Sequence, residues 1–434
     1  MALKMTPGIE INAVAKAMES VLPKLRKLDR ASEGADDALN MLIFENEKLG
    51  AAFYQSPYTA HHIDWQSAID LILGVLNADS FTDSIGFARE LDTAVKATAT
   101  QRDYVVVMPL AFANPFGFGR RKQYLARPFM IRGFQITPPA ESAAALNRYL
   151  APLHAHDVQE DLFAHQVTQS QNALSMHPLV IFEVHGSFGS LRRQLDPDVR
   201  HLIGLIELFG RVFSAEKTVF ANNAVSNHMF YSNKRTGSLD RIPQWQPLTV
   251  SLPLSRSLIT AIRRPEMMAS LDLLLAGNRK GLVGRLRNAL DFFTRAVNER
   301  NPVTRLLFFV IAMEAIFSRD KHAPIRVTLA DYAAILCFKA DERRTVHADL
   351  LEIYDARSAI VHNGVSHVDT RLTDKSEALA ARAIYCSLLL AHKVKDGTAT
   401  HEDRFFERLR NMKIGIESNP VRSPLWRGYG LPAD

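Results

Sequence analysis

Cysteine is nearly absent from this chain of 434 residues: only Cys337 and Cys386 occur, each inside an apparent helix. Two isolated thiols exclude a disulfide framework and a cysteine-based zinc site, and they suit a reducing cytosol. Long apolar runs are also missing. The longest, such as LLFFVIAMEAIF at 306–317, fall short of the roughly 18–20 residues that a membrane span requires. The opening MALKMTPGIEINAVAKAMESV has no apolar signal core. Neither GxGxxG nor GxSxG occurs, and FGFG at 116–119 is not followed by GK[ST], so common nucleotide loops and serine-hydrolase elbows have no footing. Adjacent His61 and His62 project in different directions and lack an HExxH or cysteine partner, and His154, His156 and Asp157 make no better ligand set. The expectation is a cytoplasmic protein with no metal, no cofactor and no membrane partner.

What remains is an ordinary globular composition. Apolar residues at 47% and charged residues at 23% give enough core-forming material for two or three domains rather than a disordered chain. The net charge of +6 is spread thinly, which is compatible with a polyanionic partner such as nucleic acid without demanding one.

Periodicity divides the chain into four regions, an α+β organisation overall. Residues 1–100 read mainly as helix: INAVAKAMESVLPKLRKLD and DWQSAIDLILGVLNADS both carry apolar residues at spacings of three and four. Residues 101–255 read as a mixed α+β module. There DYVVVMPLAFA (103–113), LVIFEVHG (179–186) and KTVFANNAVSNHMFY (217–231) are strand-like, and AESAAALNRYLAPL and DVRHLIGLIELFGRVF are helix-like. Residues 256–412 return to amphipathic helices, at 282–299, 302–317, 325–338, 341–362 and 374–394, and predict an all-α bundle. The second of these opens on Pro302, a residue at home in a first helical turn. Residues 413–434 are rich in Pro and Gly and read as a tail.

Chemistry is most concentrated in YDARSAIVHNG, 354–364. A continuous helical pattern ends there at Asn363-Gly364, a C-terminal stop signal, which places His362 in the last turn. A cation is favoured at that end by the macrodipole, and an imidazole exchanges protons near neutrality. Arg357 lies about one and a half turns earlier, roughly 140° around an ideal helix. The two side chains therefore meet only if the last turn is distorted or a second protomer completes the site. Otherwise they are a solvated arginine and a helix-capping histidine. Arg148 and His154 in RYLAPLH also fit an arginine followed by a histidine with four to six residues between. Upstream, Glu314 is a lone carboxylate among apolar residues in FFVIAMEAIF. Buried without a partner it would cost several kcal/mol, so either a cation joins it, with Arg357, Arg326 and Arg305 as candidates, or it faces solvent along a narrow polar edge.

Taken together, RLLFFVIAMEAIF, IRVTLADYAAIL, IYDARSAIVHNG and a closing amphipathic helix resemble the HEPN superfamily, within it the ApeA-like branch, over about 285–395. The resemblance implies a HEPN-type helical bundle and a metal-independent endoribonuclease, often a toxin or an effector of anti-phage defence. It implies Arg357 and His362 as the catalytic pair, Glu314 as the acidic residue orienting the arginine, and a homodimer formed through the bundle. The chain departs from the family at Ser358, where many active members carry Asn, Asp or His; a hydroxyl still hydrogen-bonds there, but it is a weaker positioner. A noncatalytic HEPN module that binds nucleotide or RNA, or scaffolds partners as a dimer, is the alternative. On the defence reading, the region before 256 is a sensor, with a phage-derived trigger as one partner.

The chemistry of these side chains fits RNA as substrate. RNA carries its own nucleophile, the 2′-hydroxyl, so a histidine that moves protons and an arginine that neutralises phosphate charge suffice for cleavage. Basic residues that would guide the strand are Arg120, Arg121 and Lys122, interleaved with aromatics in NPFGFGRRKQYLARPFMIRG, and Arg279 and Lys280 before the bundle. The first cluster reads equally well as an ordinary basic hairpin.

Overall fold

The computed structural model describes residues 8–25, 46–63, 65–78, 81–99, 103–112, 128–131, 133–138, 178–185, 188–213, 228–233, 239–243, 249–253, 255–276, 281–319, 324–394 and 400–421, with the single positions 43, 141 and 144. The first layer is helical: α1 (Ile11–Met18), α2 (Leu22–Leu25), α3 (Glu47–Phe53), α4 (Pro57–His62), α5 (Trp65–Ala78) and α6 (Ser84–Ala99). Their apolar stripes close on a separate small core of Val14, Met18, Leu49, Phe53, Ile72, Phe87 and Leu91. Local polar groups fix the ends. Asn46 accepts from the Leu49 amide at 3.0 Å, and Asp92 accepts from the Ile9 amide at 3.0 Å while pairing with Lys96 at 2.6 Å.

The second layer is a sheet. Its strands are β1 (Asp103–Pro109), β3 (Phe129–Ile131), β4 (Phe134–Thr137), β5 (Leu179–His185), β6 (His228–Asn233) and β7 (Leu239–Pro243), in the order β3-β4-β5-β1-β6-β7. Every neighbouring pair is antiparallel. The register sets Val106 opposite both Phe182 and Tyr231. Two further short strands, β2 (Ala111–Phe112) and β8 (Thr249–Val250), pair in parallel. Alternation decides which side chains reach the main core: Tyr104, Val106 and Met108 of β1 join it with Val180, Phe182 and Val184 of β5. Gly133 turns β3 into β4 with φ of +89°, a conformation that costs glycine least.

The main core runs from these strands through α7 (Phe188–Phe213) into the C-terminal helices without a break. Those helices are α8 (Arg256–Ile262), α9 (Pro265–Ala276), α10 (Gly281–Asn298), α11 (Pro302–Phe317), α12 (Ile325–Cys337), α13 (Arg343–Asn363), α14 (Thr370–Lys393) and α15 (His401–Lys413). The protein is therefore an α+β molecule with helices on either side of the sheet segment in sequence. None of the described helices is long and apolar enough to cross a membrane. Glycine lets α7 come close to its neighbours. A Cβ at Gly204 would lie 2.6 Å from Thr294 Oγ1, and one at Gly210 only 2.2 Å from Leu252 Cδ1.

Caps and core partners explain the bundle helix by helix. Asn301 accepts from the Val303 and Thr304 amides at 2.9 and 3.3 Å, and Pro302 occupies the first turn of α11. Arg285 of α10 donates to the Ala315 and Ser318 carbonyls at 3.3 and 2.9 Å, satisfying the other end of α11. Phe293 and Phe309 meet with ring centroids 5.7 Å apart between α10 and α11. Helix α14 is buried along most of its length, whereas α13 buries only the stripe Val346, Leu350 and Ile353. That narrow stripe leaves the last turns of α13 at the surface.

Candidate functional site

Helix α13 remains regular to Asn363 and stops at Gly364, which takes the left-handed conformation with φ of +66°. The stop is where Asn363-Gly364 predicted it, and it fixes His362 in the final turn. His362 is exposed, and among the described residues it makes no hydrogen bond or ion pair. Two valines close to it in sequence are exposed, Val361 at 52% and Val365 at 39%.

Arg357 is half-buried on α13 and faces α11. Its Nε lies 3.6 Å from Glu314 Oε1, with side-chain exposures of 23% and 17%. At that separation the charges attract, but no hydrogen bond forms. Both facing atoms are buried and lack a hydrogen-bond partner among the described residues. The guanidinium carbon also sits 5.7 Å from the centroid of the Tyr354 ring, three positions earlier on the same helix face. Beyond these two neighbours Arg357 has no partner among the described residues, so its terminal nitrogens are uncommitted. The Tyr354 phenol is held above its usual pKa, chiefly by burial, then by the charge of Glu314 and the hydrogen bonding within its reach. It stays a donor at neutral pH.

The competition for Glu314 is settled by geometry. Arg326 is taken by Asp355 through two bonds of 2.6 Å, and Arg305 is paired with Glu377. Arg357 remains as the cation beside Glu314. Ser358 is half-buried and makes no hydrogen bond among the described residues, so it does not brace the arginine. The structure thus brings Arg357 and Glu314 together and leaves His362 apart. Because α13 is undistorted to its end, the roughly 140° between positions 357 and 362 persists within one chain. Arg120, Arg121, Lys122, Arg279 and Lys280 lie outside the described residues, as do Arg148 and His154.

No family model matches the chain, and neither the curated proteins nor the solved structures yield a match.

A second charged cluster escaped the sequence reading. Glu207 of α7 is fully buried; it pairs with Arg211 and accepts from the Ser251 amide at 2.5 Å and the Ser251 hydroxyl at 3.1 Å. Arg211 reaches on to Glu377 of α14 at 2.5 Å, and Glu377 pairs with Arg305 of α11. Burial opposes the charge on Arg211, but Glu207 and Glu377 more than offset it and raise its pKa. The signal was present in HLIGLIELFGRVF, where Glu207 and Arg211 stand one turn apart in an otherwise largely apolar stretch.

Proposed function

We propose that the C-terminal helices form a HEPN-type, metal-independent endoribonuclease module, acting as a toxin or as an effector of defence against phage. One observation carries this reading. An arginine beside a carboxylate has its terminal nitrogens free among the described residues, and a histidine stands five residues later at an exposed helix end. Arg357 offers a planar fork to phosphate oxygens and neutralises the charge that grows as the 2′-hydroxyl attacks. His362 takes the 2′-hydroxyl proton or delivers one to the departing 5′-oxygen. The products carry a 2′,3′-cyclic phosphate and a 5′-hydroxyl. One imidazole cannot serve both proton transfers at once, and Arg357 and His362 do not meet in one chain. A homodimer that joins two copies of α13 supplies a second histidine, and the exposed Val361 and Val365 beside His362 suit such a contact.

The alternative is a noncatalytic HEPN module that binds nucleotide or RNA, or scaffolds a dimer. The lack of any contact between His362 and Arg357, with Ser358 unbonded beside the arginine, favours it. Labelled RNA incubated with the protein in EDTA separates the two. The nuclease reading expects cleavage that spares DNA and falls about 10²–10⁴-fold in His362→Ala, a change at an exposed position that leaves folding intact. Binding without cleavage selects the alternative, and cleavage unaltered in His362→Ala refutes the assignment.

A further inference from the structure

We infer that Tyr354 is a positioning residue that holds the Arg357 guanidinium so that its terminal nitrogens face a phosphate; this rests on Arg357 being the phosphate-binding arginine. Three observations converge. Tyr354 and Arg357 are three residues apart on α13 and so share a face, with 5.7 Å between the guanidinium carbon and the ring centroid. The carboxylate on the other side stands 3.6 Å from Nε, too far for a hydrogen bond. Both facing atoms are buried without a hydrogen-bond partner among the described residues. Glu314 alone therefore does not lock the arginine. Without the ring, the side chain is free to swing until a terminal nitrogen, instead of Nε, meets the carboxylate, and the fork is then spent on Glu314 rather than on substrate.

The ring prevents this from the face, as aromatic rings hold guanidinium groups. The phenol is held protonated, chiefly by burial, and so adds no negative charge that would draw the fork inward. Arg357 thus keeps Nε toward Glu314 and its remaining donors outward.

The test is a double-mutant cycle on the full-length protein. It reads affinity for a 2′-O-methyl RNA oligonucleotide, which has no free nucleophile, alongside cleavage of the unmodified RNA. Tyr354→Leu, which removes ring and hydroxyl, is expected to weaken binding about 3- to 10-fold. Tyr354→Phe, which keeps the ring, should lose a smaller part. In an Arg357→Ala background Tyr354→Leu should have no further effect, because its whole contribution passes through the arginine. Losses that multiply, or unchanged binding in Tyr354→Leu with its fold intact by circular dichroism, would overturn the role. If Arg357→Ala binds as well as the wild type, the phosphate-binding reading and this inference fall together. If Arg357→Ala binds poorly while no variant or wild type cleaves, only the nuclease reading falls, and the cycle still decides for or against Tyr354.

Discussion

Helix α11 carries two arginine–carboxylate clusters, and they are built in opposite ways. Near its start, Arg305 joins Glu377, Arg211 and Glu207 in a chain where each charge has an opposite neighbour and the Ser251 amide and hydroxyl add to it. Near its end, nine residues on, Glu314 and Arg357 face each other across 3.6 Å with the nearest atoms unbonded. The first cluster knits the sheet-bearing segment to the bundle through α7, α11 and α14. Among the described residues, the second uses none of its terminal guanidinium donors. A charge network that closes on itself holds a fold together, whereas one that leaves donors open is equipped to hold something else.

That contrast is open to attack by mutation, beginning where the effect on stability is largest. Glu207→Ala leaves Arg211 buried with one of its two carboxylates gone, and it should cost about 3–5 kcal/mol in chemical denaturation. A loss below 1 kcal/mol would mean that the network does not hold the two segments together. Glu314→Gln should be far milder, at most about 1 kcal/mol by the same measurement, since both partners are partly solvated and do not hydrogen-bond. Its cost should fall instead on RNA cleavage, by about 10- to 100-fold, the penalty of a misplaced catalytic group. If the two variants behaved alike in both assays, the distinction between structural and functional clusters would be lost.

The sequence made the site more legible than the surrounding fold. Asn363-Gly364 ends α13 where glycine at the left-handed position says it should, and Asn301-Pro302 opens α11 in the same direct way. The solitary Glu314 announced a cation, and Arg357 is there because Arg326 and Arg305 have nearer carboxylates. What could not be read was long-range pairing. The order β3-β4-β5-β1-β6-β7 pairs β1 with β6, more than a hundred residues later in sequence, which no local pattern encodes. The buried Glu207 was passed over for a related reason. Its helix matched an amphipathic pattern well enough to hide one ionised residue, and its partner Ser251 is distant in sequence. The role proposed for Tyr354 was invisible because a tyrosine three residues before an arginine is commonplace until the carboxylate on α11 is located.

The central claim is that Arg357 and His362 act on one phosphate. Single-turnover cleavage of RNA by Arg357→Ala, His362→Ala and the double variant tests it most directly, since residues working as a unit are strongly non-additive. The double variant should be no slower than the worse of the two single variants, and the remaining wild-type product should end in a 2′,3′-cyclic phosphate. Rate losses that multiply in the double variant, or cleavage that survives in both singles, would contradict it.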